Sequence, residues 1–212
     1  MRIVETPVYD LTELSDAAKE KARVWCRESA VDWEWWDCVY DDFEEVCKIL
    51  GITLWTTPVR LMGGGTRQKP CVWFSGFSSQ GDGASFEGHY SYAKGAARQI
   101  RDYAPKDQEL HKIADRLQAV QRSNFYQLTA TFRTSGRYCH PYTMSFEVER
   151  LGGGHPIVDR TDDELIVALR DLAHWLYRRL EDEYEFQTSD DVVDESIVAN
   201  AYTFTAEGRR FG

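Results

Sequence analysis

No apolar run in the 212 residues approaches the roughly 20 needed to span a bilayer, so no membrane helix is expected. The opening Met1-Arg2-Ile3-Val4-Glu5-Thr6-Pro7 lacks the apolar core of a signal peptide, which makes a cytoplasmic location the expectation. Cysteine is sparse and unpatterned. Cys26, Cys38, Cys47, Cys71 and Cys139 are odd in number, widely spaced and never C-x-x-C. That excludes a disulfide framework and a zinc knuckle, and leaves reduced, mostly buried thiols. Six prolines and 15 glycines without a period exclude a collagen-like chain, and no biased linker divides the sequence. What remains is an ordinary globular mixture, 42% hydrophobic and 28% charged. A chain of this length buries roughly 70% of its unfolded surface without help from disulfides or metals. One globular domain over residues 1–212 is expected.

The 35 Asp and Glu outnumber the 25 Lys and Arg, for a formal charge of −10. That total repels nucleic acid and anionic lipid over about a Debye length, roughly 8 Å at physiological salt. Direct nucleic-acid binding is therefore not expected, and a partner with a basic surface is. The charge is unevenly laid out: residues 1–50 sum to −7, residues 51–150 to +5 and residues 151–212 to −8. A basic middle can hold a small anionic ligand such as a nucleotide even where the whole repels a polyanion.

The periodicity predicts an α+β fold: a mostly antiparallel sheet of two hairpins packed with amphipathic helices. Ile3 to Tyr9 reads as a strand and Ser15 as the cap of a helix to about Ser29, with Ala18, Ala22, Trp25 and Ser29 on its narrow face. Trp36, Val39, Tyr40, Phe43, Val46, Cys47 and Leu50 follow helical spacing up to Gly51, while Asp37, Asp41, Glu44 and Glu45 fall on the opposite face. The period then changes to two over Ile52–Trp55, Cys71–Phe77 and Ala84–Tyr92, the last two joined by a turn at Gln80-Gly81-Asp82-Gly83. Phe86, Gly88 and Tyr90 share one face of that last run, and Ser85, Glu87, His89 and Ser91 the other. Helical spacing returns over residues 93–122, with Lys94, Arg98 and Arg101 as a basic stripe. A second hairpin spans Phe125–Arg133 and Tyr138–Glu149 around Ser135-Gly136. Thr161-Asp162-Asp163-Glu164 reads as a capping box before a long helix with Leu165, Ala168, Leu169, Leu172, Leu176 and Leu180 inward. Ser189 can cap a further short helix, and Tyr202 to Thr205 with Glu207-Gly208 reads as a last strand or hairpin.

Few of these residues form a chemical signature. Gly63-Gly64-Gly65-Thr66-Arg67 lacks the G-K-[ST] ending of a phosphate loop and reads as a mobile loop, as does Gly152-Gly153-Gly154. Asp82 between two glycines reads as a turn residue. Cys139 and His140 are adjacent, so on a strand they point to opposite faces and make no thiolate pair. His140 shares the parity of Tyr142 and Met144, which favours a satisfied residue at the core edge. Glu87 and His89 lie on one sheet face within reach of Thr129, Thr131 or Arg133, and a carboxylate beside an imidazole can orient a general base. No nucleophile elbow or metal-ligand spacing accompanies them, so no catalytic residue, metal site or cofactor is assigned. Glu87, His89, Arg98, Arg101 and Arg133 are the candidate ligand-binding residues. Trp33, Trp35 and Trp36 cannot all face one core. With the carboxylates Asp37, Asp41, Glu44 and Glu45, Trp33 and Trp35 make the candidate partner-binding surface.

The segment Trp73-Phe74-Ser75-Gly76-Phe77-Ser78-Ser79-Gln80-Gly81-Asp82-Gly83-Ala84-Ser85-Phe86-Glu87-Gly88 resembles a family of poorly characterised proteins from bacteriophages, prophages and mobile elements. Ile3-Val4-Glu5-Thr6, Ala17 to Trp25, Tyr103-Ala104-Pro105 and Phe125-Tyr126-Gln127-Leu128 share the resemblance. Members are loosely labelled antitoxins of toxin and antitoxin stability systems. The resemblance implies a mobile-element setting and brings no catalytic residues. The expectation is a noncatalytic accessory protein that inhibits a host-defence factor, such as a CRISPR effector. The alternatives are a sponge or hydrolase for an immune signalling nucleotide, and an antitoxin.

Overall fold

Helical and alternating periods in the sequence become helices and strands at closely matching positions. The computed structural model describes residues 1–3, 5–29, 34–151 and 161–211, with only the backbone of Thr161 and Asp162. Among them the helices are α1 (Asp16–Ser29), α2 (Asp37–Leu50), α3 (Ala96–Tyr103), α4 (Gln108–Ser123), α5 (Thr161–Gln187) and α6 (Asp190–Ala199). The strands are β1 (Ile52–Leu54), β2 (Thr56–Arg60), β3 (Thr66–Pro70), β4 (Val72–Phe74), β5 (Ala84–Phe86), β6 (Gly88–Ser91), β7 (Leu128–Thr134), β8 (Met144–Arg150), β9 (Thr203–Phe204) and β10 (Arg210–Phe211). Among the described residues every strand pairing is antiparallel, and the protein is α+β.

The chain divides into two compact units, one of Met1–Asp37 with Glu181–Gly212 and one of Cys38–Leu180. In the smaller unit, α1 and α6 enclose Leu11, Leu14, Ala18, Ala22, Cys26, Val193, Ile197 and Phe204. The buried stripe of α1 runs through Ala18, Ala22 and Cys26, so Ser29 is exposed. Arg23 grips Asp194 with two hydrogen bonds, Nε to Oδ1 and Nη2 to Oδ2, both 2.7 Å. That grip holds the Asp194 carboxyl below its ordinary range. The expected strand from Ile3 is reduced to a bridge between Tyr9 and Phe204; Val4 lies outside the described residues.

The larger unit is built on a four-stranded sheet in the order β1-β6-β7-β8. Ile52, Tyr90, Leu128, Ala130 and Phe132 are buried on one face, over which Phe43 of α2 meets Phe86 at 5.1 Å. The six inward residues foreseen on α5 are all fully buried. The Thr161 side chain of the expected capping box lies outside the described residues.

Three strand segments exchange partners at one point. Trp55 N–H donates to the Glu87 carbonyl, Glu87 N–H to that of Cys71, and Cys71 N–H to that of Trp55, at 3.0, 2.9 and 2.7 Å. On the three sides of this triangle β1 pairs with β6, β2 with β3, and β4 with β5. The junction explains why the alternating runs of the sequence stop at Trp55 and resume at Cys71, and it divides the run read over Ala84–Tyr92 into β5 and β6 at Glu87. It also accounts for two departures. Residues 56–70 form a hairpin, with the Gly63-Gly64-Gly65 segment at its tip. Ser85, expected on the polar face, is fully buried on a strand whose other two residues are buried as well. At Gly88 a Cβ would collide with the Thr53 carbonyl, so only glycine lets β6 approach β1 there.

Candidate functional site

The outward face of the four-stranded sheet carries Thr53, His89, Thr131 and Glu147 in one row across β1, β6, β7 and β8. His89 Nδ1 lies 3.2 Å from Thr131 Oγ1, within hydrogen-bonding distance. Glu87 does not orient this imidazole. Its Oε1 accepts the Thr134 backbone N–H at 3.0 Å, so the carboxylate terminates β7. Arg133 lies with its guanidinium 4.9 Å from the Trp55 ring centroid, a cation–π contact.

Arg98 and Arg101 are not part of that face. Arg101 donates to the Ala97 carbonyl and to Asp115 of α4, and Arg98 stands 3.8 Å from Asp102. Leu50, Ala96, Ala114 and Leu117 surround Tyr90, which places α3 and α4 against the sheet's buried side. The five candidate ligand residues are therefore divided between two layers. Two members of the basic stripe read from the sequence, Arg98 and Arg101, face nearby carboxylates, a pairing that one-dimensional charge counting does not register.

The polar side of α2 is open. Asp41 and Glu45 are exposed, Asp37 and Glu44 half-buried, and Lys48 Nζ donates to Glu45 at 3.1 Å. Tyr103 donates to Asp42 at 2.6 Å, and this bond helps push the phenol up to about 12. Beside the helix a groove of about 390 Å3 runs along the free edge of β1, lined by Glu44, Lys48, Thr53, Leu54, Thr56 and Pro70. Trp35 is half-buried, edge-on to Trp36 at 5.6 Å and tilted against Tyr184 at 5.4 Å. Its ring packs against these neighbours within the smaller unit. Trp33 lies outside the described residues.

Family comparison adds one positive finding. The model described as Domain of unknown function (DUF8835) matches residues 35–190. The chain belongs to the DUF8835 family. No curated protein matches it, and no solved structure does. The DUF8835 match covers the whole of α2, the whole of the four-stranded sheet and the triple junction.

One cluster in the DUF8835 region went unread in the sequence. His140 stacks on Tyr142 at 5.3 Å and meets His174 of α5 edge-on at 6.1 Å. Arg170, one turn before His174, lies over the rings of Tyr142 and Phe146 at 5.2 and 5.3 Å. Burial, and then the neighbouring His140, lower the His174 pKa from its ordinary value. The Tyr142 N–H donates to His140 Nδ1 at 3.2 Å, so this ring nitrogen is satisfied as expected, by a turn and not by the strand parity that suggested it. Tyr142 itself is exposed, because a 3-10 turn over Pro141–Thr143 breaks the alternation before β8. The available signal was the i, i+4, i+8 spacing of Arg170, His174 and Arg178 on the polar side of α5. Of the thiols, all free, Cys26, Cys47 and Cys71 are buried and Cys139 is half-buried, in line with the mostly buried reading, while Cys38 is exposed. Among the described residues no group of three His, Cys, Asp or Glu is placed to hold a metal ion, and no helix is long and apolar enough to cross a membrane.

Proposed function

We propose that the protein is a noncatalytic binding protein that captures and inhibits a host-defence factor through the acidic side of α2. The observation that carries this reading is the outward placement of Asp41 and Glu45 on a helix whose other side is fixed in the core by Phe43, Val46, Cys47 and Leu50. A rigid helix presents its carboxylates without an ordering cost at binding, and these carboxylates favour a basic surface of the kind that nucleic-acid-handling proteins carry. The mobile-element setting implied by the sequence resemblance supplies the context. The polar face around His89 supports the nucleotide reading less well, since Glu87 serves the backbone and Arg98 and Arg101 lie in the helical layer.

The test is affinity capture from a host lysate, read by mass spectrometry, with the wild type and with D41K/E45K. A basic nucleic-acid-handling protein should be retained by the wild type at low salt and released by the variant. Retention of the same protein by the variant overturns the reading. A toxin encoded beside the gene, held equally by both forms, would assign the protein to the antitoxins instead.

A further inference from the structure

The charge of one element runs against that of the whole molecule. No Asp or Glu occurs between Glu45 and Asp82, and within that stretch the β2–β3 ribbon carries Arg60, Arg67 and Lys69. Every residue from 56 to 69 is exposed, including Val59 and Leu61, and Met62 at the tip is fully so. Among the described residues none of the three cations pairs with a carboxylate, whereas Arg23, Arg27, Arg101, Arg116 and Arg178 all do. A two-stranded ribbon with neither face packed is marginal in water, so its side chains contribute little to folding. The ribbon is held instead by its register, Thr57 opposite Lys69 and Val59 opposite Arg67, and by the triangle at its base.

We propose that this ribbon is an arm that enters the major groove of duplex DNA. Neighbouring strands are about 4.8 Å apart. A ribbon of two such strands with its side chains fits a groove about 12 Å wide, where arginine and lysine meet guanine acceptors and apolar groups meet the thymine methyl. One face of the ribbon offers Arg67 and Lys69 with Thr57 and Val59, and the other offers Arg60 beside Pro58 and Gln68. A groove flanked by two phosphate backbones engages cations on both faces at once, whereas an acidic protein surface meets only one. Strand addition at the β2 edge is disfavoured. Leu61 N–H donates to the Gly65 carbonyl, so the alternation turns the nitrogen of Pro58 outward, where it has no hydrogen to give. The net charge of −10 confines contact to the arm, since duplex DNA repels the acidic segments. The inference is independent of the α2 reading, being carried by another element of opposite charge.

The test is fluorescence anisotropy of a labelled duplex of about 20 base pairs, titrated with the full chain, a length that offers about two helical turns of groove. Saturable binding is expected at 50 mM salt. It should weaken about 40-fold at 200 mM, the change that three released counterions give at a log–log slope of about −0.9 each. R60E/R67E/K69E should abolish binding with its circular dichroism unchanged, while Lys112→Glu, which removes an exposed cation from α4, should leave binding intact. Each of the following results overturns the proposal: no saturable binding at 50 mM salt, undiminished binding by the triple variant, or weakening by Lys112→Glu equal to that of the triple variant. Equal affinity for a single strand of the same length removes the groove. Equal affinity for labelled oligoglutamate assigns the arm to an acidic protein surface.

Discussion

β7 and β2 both lie in antiparallel pairs of the larger unit, and they differ in what their side chains meet. In β7, Leu128, Ala130 and Phe132 are fully buried, while Arg133 is exposed. In β2 all five residues are exposed. The first strand is held by a packed face, the second by backbone hydrogen bonds and its anchorage at the triangle of Trp55, Cys71 and Glu87. A ladder alone specifies pairing but adds little stability, because folding exchanges hydrogen bonds to water for bonds within the chain. Sequence changes in the sheet should therefore act on stability, and those in the ribbon on binding.

The largest effect is expected at Phe132, which meets Phe86 at 5.2 Å and Phe146 at 5.9 Å. Phe132→Ala should cost about 3 to 5 kcal/mol through lost burial and the cavity left behind, read by urea denaturation. A cost below about 1 kcal/mol would break the comparison from the side of the sheet. Next is Gln121, whose buried amide donates to the Leu128 carbonyl at 2.7 Å and accepts the Leu128 N–H at 3.2 Å. Gln121→Leu leaves both backbone groups unpaired at the entry to β7 and should cost about 1 to 3 kcal/mol, with hydrogen exchange rising first at Leu128.

A smaller, pH-dependent effect is expected at His174. Its lowered pKa means that the unfolded chain binds the proton more readily than the folded one. The stability it protects is present above the ordinary value near 6.5 and is lost as the pH falls below it. His174→Asn should flatten the difference in denaturation midpoint between pH 7.5 and pH 5, and an unchanged pH slope would remove His174 as its source. The smallest effect is expected in the ribbon, where Val59→Ala should stay within about 0.5 kcal/mol of the wild type. A measured loss of 2 kcal/mol there would show that the arm packs in solution, since a cost of that size needs a buried contact.

The core was legible in the sequence wherever a long period was uninterrupted. Val39 to Leu50 and Leu165 to Leu180 stand as read, because helical spacing is a local property that packing preserves. Short polar strands were not legible. Thr56 to Pro70 shows no apolar alternation, since neither face meets a core, and Pro58 speaks against a strand unless it sits at an edge. The candidate ligand residues were legible one by one and not as a set. Glu87 and His89 are two residues apart on one face, yet the junction at Glu87 turns that carboxylate to the Thr134 backbone. The acidic side of α2 could be read directly, because a helix fixes which residues share its surface.

By itself the sequence determined the α+β class, the inward residues of the long helices and the acidic outer side of α2. These follow from periods that a few consecutive residues fix. Only the tertiary structure decided that Arg98 and Arg101 lie apart from His89, that His140 and His174 meet, and that residues 56–69 stand out in solvent as a basic ribbon. Each depends on contacts or exposure set by distant segments, above all by the backbone triangle where three strands exchange partners.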